Sequence, residues 1–241
     1  MRAVNLRSMI PWLGSGDPFP SVARALRNPN GLLAAGADLS PERLLDAYRQ
    51  GIFPWFNEGD PVLWWSPDPR MVLRPAELHV SRSLGRVVAS RRYRVSMDTA
   101  FADVIAGCAE ARQGREHTWI TPPMTQAYRQ LADLGYAHSV EAWADERLVG
   151  GLYGVAIGRM FYGESMFSRA TDASKVALVA LARQLDRWGF ELIDCQMSTA
   201  HLASFGAREV PRSQFLRQVS RLVRLPDVPA PWTPDSDLLE R

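Results

Sequence analysis

The chain has 241 residues, of which 46% are hydrophobic and 22% are charged, and its formal net charge is +2. This composition excludes wholesale disorder, and the length suits one large domain or two unequal ones. The apolar runs are much shorter than the roughly 18 residues of a transmembrane helix, and no signal-peptide pattern opens the chain. Cys108 and Cys195 lie far apart without a CxxC pattern, which argues against a disulfide framework or a zinc ribbon. We therefore expect a cytoplasmic globular protein without a membrane segment.

The basic residues are unevenly distributed along the chain. All but one of the 28 lysines and arginines are arginines, and the segment 79–94 contains Arg82, Arg86, Arg91 and Arg92 without any acidic residue. Clustered arginines can form an electrostatic footprint for a phosphate backbone. A solvated helix face is the alternative interpretation of the same segment.

The N-terminal third of the chain predicts little long secondary structure. Its first thirty residues are rich in Pro, Gly and Asn and are predicted to be irregular. Ser40 and Pro41 are typical of a helix start, and Gly51 is typical of the end of that helix. The prolines in the aromatic stretch 52–70 forbid a long helix, so that stretch predicts short strands and turns. Residues 81–90 fit a short helix with arginines on its outer face.

The middle of the chain alternates between a strand and helices. Residues 93–97 predict a strand, and Asp98 is predicted to cap a helix whose apolar residues follow the spacing i, i+3, i+4 and i+7. Thr121 and Pro122 predict the start of another helix, which ends at Gly135.

The C-terminal half predicts a sheet. Period-two patterns and turn signals predict three successive strands at 137–143, 148–158 and 160–168. Asp172 is predicted to cap the long helix that follows, and a further strand is predicted at 190–196. An antiparallel meander followed by a helix and a strand predicts the α+β class. We expect an N-terminal domain, 1–90, with the aromatic loops and the basic segment, and a catalytic sheet domain, 91–241.

Several site types lack support in the sequence. The four histidines show no HxxxH or HxH spacing, so they do not predict a metal site. No phosphate-binding loop is present, and the glycine-rich segment 148–158 lacks the strand–turn–helix context of a dinucleotide fingerprint. Ser165 and Cys195 are the nominal nucleophiles, but neither has a histidine next to it in sequence.

Two strands carry polar residues that could do chemistry. Glu164 is predicted to share a face with Tyr162 and Met166, so its carboxylate must be paired or have a raised pKa. Asp194 and Gln196 are predicted to share a face of the next strand. There, the Asp could hold the Gln amide and leave its carbonyl oxygen aimed at an incoming donor. A satisfied buried polar pair is the alternative in each case.

Seven collinear motifs give the most specific signal in the sequence. They are GIFPWF (51–56), WWSPDPR (64–70), TWIT (118–121), GESMFS (163–168), ASK (173–175), LIDCQ (192–196) and HLASFGAREVPR (201–212). Together they resemble the bacterial leucyl/phenylalanyl-tRNA–protein transferase family. The similarity extends from about Asn30 to Arg212.

The resemblance implies both a fold and an activity. The fold is a small N-terminal α/β domain joined to an acetyltransferase-like (GNAT) sheet domain. The activity is transfer of Leu or Phe, and less Met, from aminoacyl-tRNA to proteins that begin with Arg or Lys, which marks them for N-degron degradation. Aminolysis of an ester is downhill, so the resemblance implies no cofactor and no metal.

The resemblance also implies roles for individual residues. Asp194 and Gln196 resemble the reactive pair, and Glu164 would help to hold the aminoacyl adenosine. Trp55 and Trp119 match tryptophans near the terminal adenosine and the acceptor peptide. The amino-acid pocket would be formed by Leu152, Phe161, Met166, Leu178, Leu181, Leu185 and Ile193. Phosphates of the tRNA would be bound by Arg82, Arg86, Arg91 and Arg92.

Two other functions remain open at this point. An acyl-CoA-dependent acetyltransferase would need a glycine-rich pyrophosphate loop before the long helix, and residues 168–174 do not provide one. A non-catalytic RNA-binding protein could use the arginines and tryptophans. That second function would leave Glu164, Asp194 and Gln196 without a role other than burial.

Overall fold

The computed structural model describes residues 10–110 and 119–240, and within them the chain forms eleven strands and seven α-helices. The strands are β1 (Trp12–Leu13), β2 (Leu32–Gly36), β3 (Phe53–Pro54), β4 (Leu63–Trp65), β5 (Arg70–Leu73), β6 (Arg94–Met97), β7 (Ala137–Ala144), β8 (Arg147–Ile157), β9 (Met160–Ser168), β10 (Leu192–Gln196) and β11 (Arg208–Val210). The helices are α1 (Pro41–Arg49), α2 (Arg82–Ala89), α3 (Phe101–Glu110), α4 (Pro122–Asp133), α5 (Ala173–Arg187), α6 (Ala200–Ala203) and α7 (Arg212–Leu222).

Local capping explains where three of the helices begin. The hydroxyl oxygens of Ser40, Ser81 and Thr121 accept backbone N–H groups in the first turns of α1, α2 and α4. Proline follows directly at the first helical position of α1 and α4, where its missing N–H costs no hydrogen bond. The predicted helix starts at Ser40–Pro41 and Thr121–Pro122 are therefore confirmed.

Neither of the two predicted aspartates caps a helix through its side chain. Asp172 stands at the predicted N-cap position of α5 but makes no capping hydrogen bond, and Asp98 lies three residues before the start of α3. Both adopt left-handed backbone angles, with φ of 53° for Asp98 and 64° for Asp172, whereas side-chain capping normally needs extended backbone. The Asp98 carboxylate instead accepts the backbone N–H groups of Ser139 and Trp232. The Asp172 carboxylate forms an ion pair with Lys175, at 2.8 Å.

The strands form two mixed sheets. The smaller sheet has the order β1-β2-β4-β3, and the larger sheet has the order β11-β5-β10-β9-β8-β7-β6. All neighbours in the larger sheet are antiparallel except β9 and β10, which α5 connects as parallel strands. The predicted meander, helix and further strand are present, and the α+β class is confirmed.

Helices cover both faces of the larger sheet. Buried residues of α1, α3, α4 and α7 pack against one face, in a cluster that continues into the smaller sheet. Buried residues of α2, α5 and the C-terminal residues Trp232 and Leu238 pack against the other face. The sheet therefore lies between two helical layers, which is why its strands β8, β9 and β10 are almost entirely buried.

The two sheets divide the chain at an earlier point than the expected boundary. The smaller sheet ends at Trp65, and β5, only five residues later, lies inside the larger sheet between β11 and β10. Residues 70–90 therefore pack with the larger sheet, although they belong to the N-terminal domain predicted from sequence. The division of the chain into two folding domains stays a prediction.

Candidate active site

A cavity opens where the parallel pairing of β9 and β10 ends. The pairing ends at Tyr162 and Asp194. Both strands are irregular just beyond that point, because β9 has a bulge at Glu164 against β8, and the register of β10 against β5 shifts between Asp194 and Gln196. β-Bulges redirect side chains and end regular pairing, and they occur often beside active sites. The strands are thus free to separate here.

The cavity has a volume of about 380 Å³ and is largely apolar. Its walls come from β8, β9, α5, β10, α6 and Thr199 just before α6. The apolar lining residues are Leu152, Phe161, Met166, Leu178, Leu181, Ile193 and Leu202, and the polar ones are Tyr153, Glu164, Ser165, Asp194, Cys195, Gln196, Thr199 and His201. A cavity of this size with a few polar groups is typical of small-molecule sites.

Glu164 is the acidic centre of the polar group. Its carboxylate accepts hydrogen bonds from the hydroxyls of Tyr48, at 2.7 Å, and Tyr128, at 2.9 Å, and from the side-chain amide of Gln196, at 3.0 Å. Burial raises the pKa of Glu164 to about 7, although the two tyrosine hydrogen bonds oppose the shift. Glu164 can therefore exchange a proton near neutral pH.

The two tyrosines act as fixed donors. Tyr48 comes from α1 and Tyr128 from α4, and their hydroxyl oxygens lie 2.6 Å apart. Burial raises the pKa of both hydroxyls well above the usual value, so both stay protonated at neutral pH. The helices that flank the sheet thus determine the environment of Glu164.

Asp194 is bound by an arginine. Arg70 donates from Nε to Oδ1, at 2.8 Å, and from Nη2 to Oδ2, at 2.6 Å, and both side chains are fully buried. Such a two-point contact between arginine and carboxylate is among the strong hydrogen-bonded pairs in proteins. The negative charge of Asp194 is therefore neutralised within the protein.

Gln196 does not make the predicted contact with the Asp194 carboxylate through its amide. Asp194 Oδ1 accepts the backbone N–H of Gln196, at 2.9 Å, and the Gln196 backbone is left-handed, with φ of 59°. This conformation and the register shift turn the side chain towards Glu164 instead. Glu164 orients the amide, and the carbonyl oxygen of Gln196 is left to accept another donor.

The structure brings all the predicted pocket residues together except Leu185, and it places the two predicted tryptophans outside the cavity. Leu185 of α5 is fully buried in the core and does not line the cavity. Trp119 is buried in the core on the other face of the sheet, and Trp55 is 41% exposed with its ring against Trp65. Leu185 is a correction: on α5 it lies four residues after Leu181, beyond the length of helix that the cavity reaches.

Met166 is also placed differently from the prediction. Glu164 contacts Tyr48 and Tyr128, which belong to the same core as Tyr162, whereas Met166 packs with the core around α5. The bulge at Glu164 inserts one extra residue and so reverses the alternation of faces. Met166 still lines the cavity.

The basic segment forms part of the outer surface. Arg82 and Arg86 are exposed on α2 and line a hollow of about 390 Å³ together with Arg183 of α5. Arg91 forms an ion pair with Glu240, at 2.5 Å, and the Arg92 guanidinium lies 5.4 Å from the centre of the Tyr93 ring.

Three important residues were missed from the sequence, namely Tyr48, Arg70 and Tyr128. Tyr48 and Tyr128 share the apolar faces of α1 and α4 with leucines, and only the need of a buried tyrosine hydroxyl for a partner indicates a polar neighbour. Arg70 stands at the end of the WWSPDPR motif, between an aromatic stretch and a buried strand. An arginine in that position signals a buried ion pair.

Within the described residues, no group of three or more His, Cys, Asp and Glu residues could hold a metal ion. His117 and Thr118 lie outside that part of the chain. None of the helices in the described ranges is both long and apolar enough to span a membrane.

Sequence comparisons identify relatives along nearly the whole chain. A model described as leucyl/phenylalanyl-tRNA protein transferase matches residues 72–220, and its N-terminal domain matches residues 37–68. The boundary between these matches coincides with the division between the two sheets.

Among solved structures, L-PGS from Bacillus licheniformis is similar, with a TM-score of 0.44 and 9% identity over 80% of this chain and 73% of that chain.

Curated relatives match at high identity. The leucyl/phenylalanyl-tRNA–protein transferase of Thiobacillus denitrificans is 64% identical over 90% of this chain and 96% of its own length. The Nitrosomonas europaea relative is 60% identical over 93% of this chain and 95% of its own length. Both share the described name. The chain therefore belongs to the leucyl/phenylalanyl-tRNA–protein transferase family, whose members transfer an aminoacyl group from tRNA to proteins.

Proposed function

We propose that this enzyme transfers Leu or Phe, and less efficiently Met, from aminoacyl-tRNA to the N-terminal Arg or Lys of acceptor proteins. The products are N-degron substrates, and the reaction takes place in the cytoplasm. The observation that carries the proposal is the hydrogen-bonded pair of Gln196 and Glu164 in the polar part of an apolar cavity.

The apolar lining of the cavity is suited to the donor side chain. Leu152, Phe161 and Leu181 offer only carbon atoms to a bound Leu, Phe or Met, and one methylene more or less changes binding by only about 1–3 kcal/mol. A charged side chain would lose its hydration without gaining a partner there. Selection is thus for apolar amino acids as a class.

Proton transfer is assigned to the polar pair. The acceptor amine attacks the ester carbonyl carbon, an amide bond forms, and the bond to the ribose oxygen breaks. The Gln196 carbonyl accepts one N–H of the amine and aligns its lone pair. Glu164, with a pKa of about 7, takes the proton that the amine releases, and the proton finally resides on the ribose hydroxyl.

The charge on Glu164 also explains a cationic acceptor. Two acidic residues, Glu164 and Asp194, belong to the cavity lining within the described residues, and the Asp194 carboxylate is fully buried and neutralised by Arg70. Glu164 accepts only neutral donors, so its charge is free to attract the Arg or Lys at the acceptor terminus. An acidic or neutral first residue would lack this attraction.

The proposed tRNA contacts lie outside the cavity. Arg82, Arg86, Arg91 and Arg92 would bind phosphates, with Arg82 and Arg86 flanking the hollow beside α2. The exposed ring of Trp55 would stack near the terminal adenosine, and Trp119 would lie near the acceptor peptide. We further propose a GNAT-like relationship for the larger sheet, on the basis of its meander, its crossover helix and the parallel strand β10.

The proposal is tested by a transfer assay with labelled Phe-tRNA. Peptides that begin with Arg or Lys should be modified, and matched peptides that begin with Ala or Asp should not. Gln196→Ala should lower the rate by about 10²–10⁴-fold, the usual contribution of positioned proton transfer. Equal transfer to the Ala peptide would contradict the acceptor proposal. Acetyl transfer from acetyl-CoA, or tRNA binding without transfer, would favour the other two functions.

A further inference from the structure

Arg70 is held rigidly from every side of its guanidinium. Besides its two hydrogen bonds to Asp194, it donates from Nη1 to the Gly51 carbonyl oxygen, at 3.2 Å. The rings of Phe53 and Phe215 lie 4.7 Å and 4.6 Å from the guanidinium carbon. Arg70 therefore connects β5, the smaller sheet and α7 to the end of β10.

Asp194 has no free face for a substrate. Its side chain is fully buried, and its oxygens accept two N–H groups of Arg70 and the backbone N–H of Gln196. A group that takes a proton from a substrate must come within hydrogen-bond distance of it. The carboxylate of Asp194 could do so only after breaking its contacts with Arg70.

The backbone of Gln196 needs such a restraint. A residue with a Cβ rarely adopts the left-handed region, and Gln196 adopts it at the end of β10, where it pairs with Met71 beyond a shift of register. The hydrogen bond from its N–H to Asp194 holds the peptide in this orientation. The same orientation brings the Gln196 amide to Glu164.

We propose that Arg70 is a positioning residue of the transfer reaction: it fixes the Asp194 carboxylate that holds Gln196, and Asp194 carries no proton in the transfer. The inference rests on the proposed role of Gln196. Arg70 supplies both the charge and the fork geometry that fix the Asp194 carboxylate, and the carboxylate fixes the Gln196 backbone. A lysine could supply the charge but only a single, flexible point of contact.

The test exchanges the ion pair for a neutral hydrogen-bonded pair. Arg70→Gln and Asp194→Asn should each lower kcat by about 10²-fold, because each leaves its buried partner unmatched and displaces Gln196. The double variant R70Q/D194N restores an amide-to-amide hydrogen bond and keeps an acceptor for the Gln196 N–H. Its kcat should recover by at least about tenfold relative to the weaker single variant.

The pH profile and KM distinguish positioning from proton transfer. In the double variant, the inflection of kcat/KM near pH 7 should persist, because it belongs to Glu164. KM for Phe-tRNA should stay near the wild-type value, because the apolar lining is unchanged. Arg169→Gln, which removes an exposed ion pair with Glu110, is the matched control and should leave kcat unchanged.

A folded double variant without recovery would overturn the proposal, because the Asp194 charge would then be needed for the reaction. Should the single variants fail to fold, Arg70→Lys decides: a lower kcat with unchanged KM supports the proposal, and a wild-type kcat overturns it. In a Gln196→Ala background, Arg70→Lys should lower kcat no further. Wild-type activity of Gln196→Ala itself would refute the proposed role of Gln196, whatever the Arg70 variants show.

Discussion

Glu164 is placed where folding and chemistry favour different ionisation states. Burial favours the neutral carboxyl, whereas the proposed reaction needs the carboxylate. The hydrogen bonds from Tyr48 and Tyr128 offset part of the cost and bring the pKa to about 7 rather than higher. Catalytic groups often have such values, because a base near neutral pH is both available and strong enough.

The raised pKa predicts how stability depends on pH. An unfolded Glu releases its proton near pH 4.5, and the folded protein keeps it until about pH 7. The folded state thus binds more protons in this window, so the free energy of unfolding should fall as pH rises from about 4.5 to 7 and then level off. Glu164→Gln should remove this component. Urea denaturation at several pH values measures it.

The same variant should lose transfer activity. Without the carboxylate, the rate increase of the wild-type enzyme through about pH 7 should disappear. The wild-type protein is the reference for both measurements. Identical pH dependence of stability in the variant and the wild type would show that Glu164 titrates normally.

The sequence predicted the state of Glu164 but not its partners. The prediction that this carboxylate is paired or has a raised pKa is confirmed. Tyr48 and Tyr128 lie 116 and 36 positions away from Glu164. The start and end signals predicted α1 and α4, but such signals do not specify which strand a helix covers. That information arises only when the helices pack.

At the scale of elements, helix α5 carries one leucine that lines the cavity and a second leucine, one turn later, that does not. The second leucine serves as the control for substitutions of the first. Leu181 lines the cavity, whereas Leu185, one turn later, is buried beside it in the core. Leu181→Ala should enlarge the cavity and raise the preference for Phe over Leu by about tenfold. Leu185→Ala should leave this preference unchanged.

Both α5 variants should be destabilised, by about 2–5 kcal/mol, because each removes a buried leucine side chain. Competition between Leu-tRNA and Phe-tRNA, measured on the folded fraction, separates selectivity from stability. A similar change of preference in both variants would mean that the wall of the cavity does not determine selectivity.

Helix α2 and the turn that follows it form the segment that should determine tRNA affinity. Changing Arg82, Arg86 and Arg92 to Glu should weaken binding of Phe-tRNA and lower the salt slope by roughly one unit per lost phosphate contact. Arg91 is left unchanged because it forms an ion pair with Glu240. A short aminoacyl-adenosine donor should be affected far less. Equal loss with both donors would assign α2 a structural role.

The element order was predictable, but the irregularities within the strands were not. Caps, prolines and periodicity predicted α1, α4 and the strands β7 to β10. The bulges at Glu164 and beside Gln196 change which face their side chains reach, and nothing in the alternation of residues announces them. For this reason the predicted face of Met166 is wrong, and the Gln196 amide contacts Glu164 rather than the Asp194 carboxylate. The irregular positions belong to the proposed site.

At the scale of the whole molecule, the C-terminal segment, 226–240, closes one face of the larger sheet. The Trp232 ring stacks on His138 of β7, with centres 3.6 Å apart, and the backbone N–H of Trp232 donates to the Asp98 carboxylate. Asp235 and Asp237 form ion pairs with Arg187 of α5. The segment therefore contacts both β7 and α5. The sequence of the segment does not predict either contact.

Trp232 should contribute more to stability than any surface contact of this segment. Its side chain is 2% exposed and contacts Trp188 and Phe190 as well as His138. Trp232→Ala should lower the free energy of unfolding by about 3–5 kcal/mol, the usual loss for a buried large aromatic residue. Arg187→Gln, which removes only exposed ion pairs, should cost less than about 1 kcal/mol. Urea unfolding of the two variants measures the difference, and equal losses would show that charge rather than packing holds the segment in place.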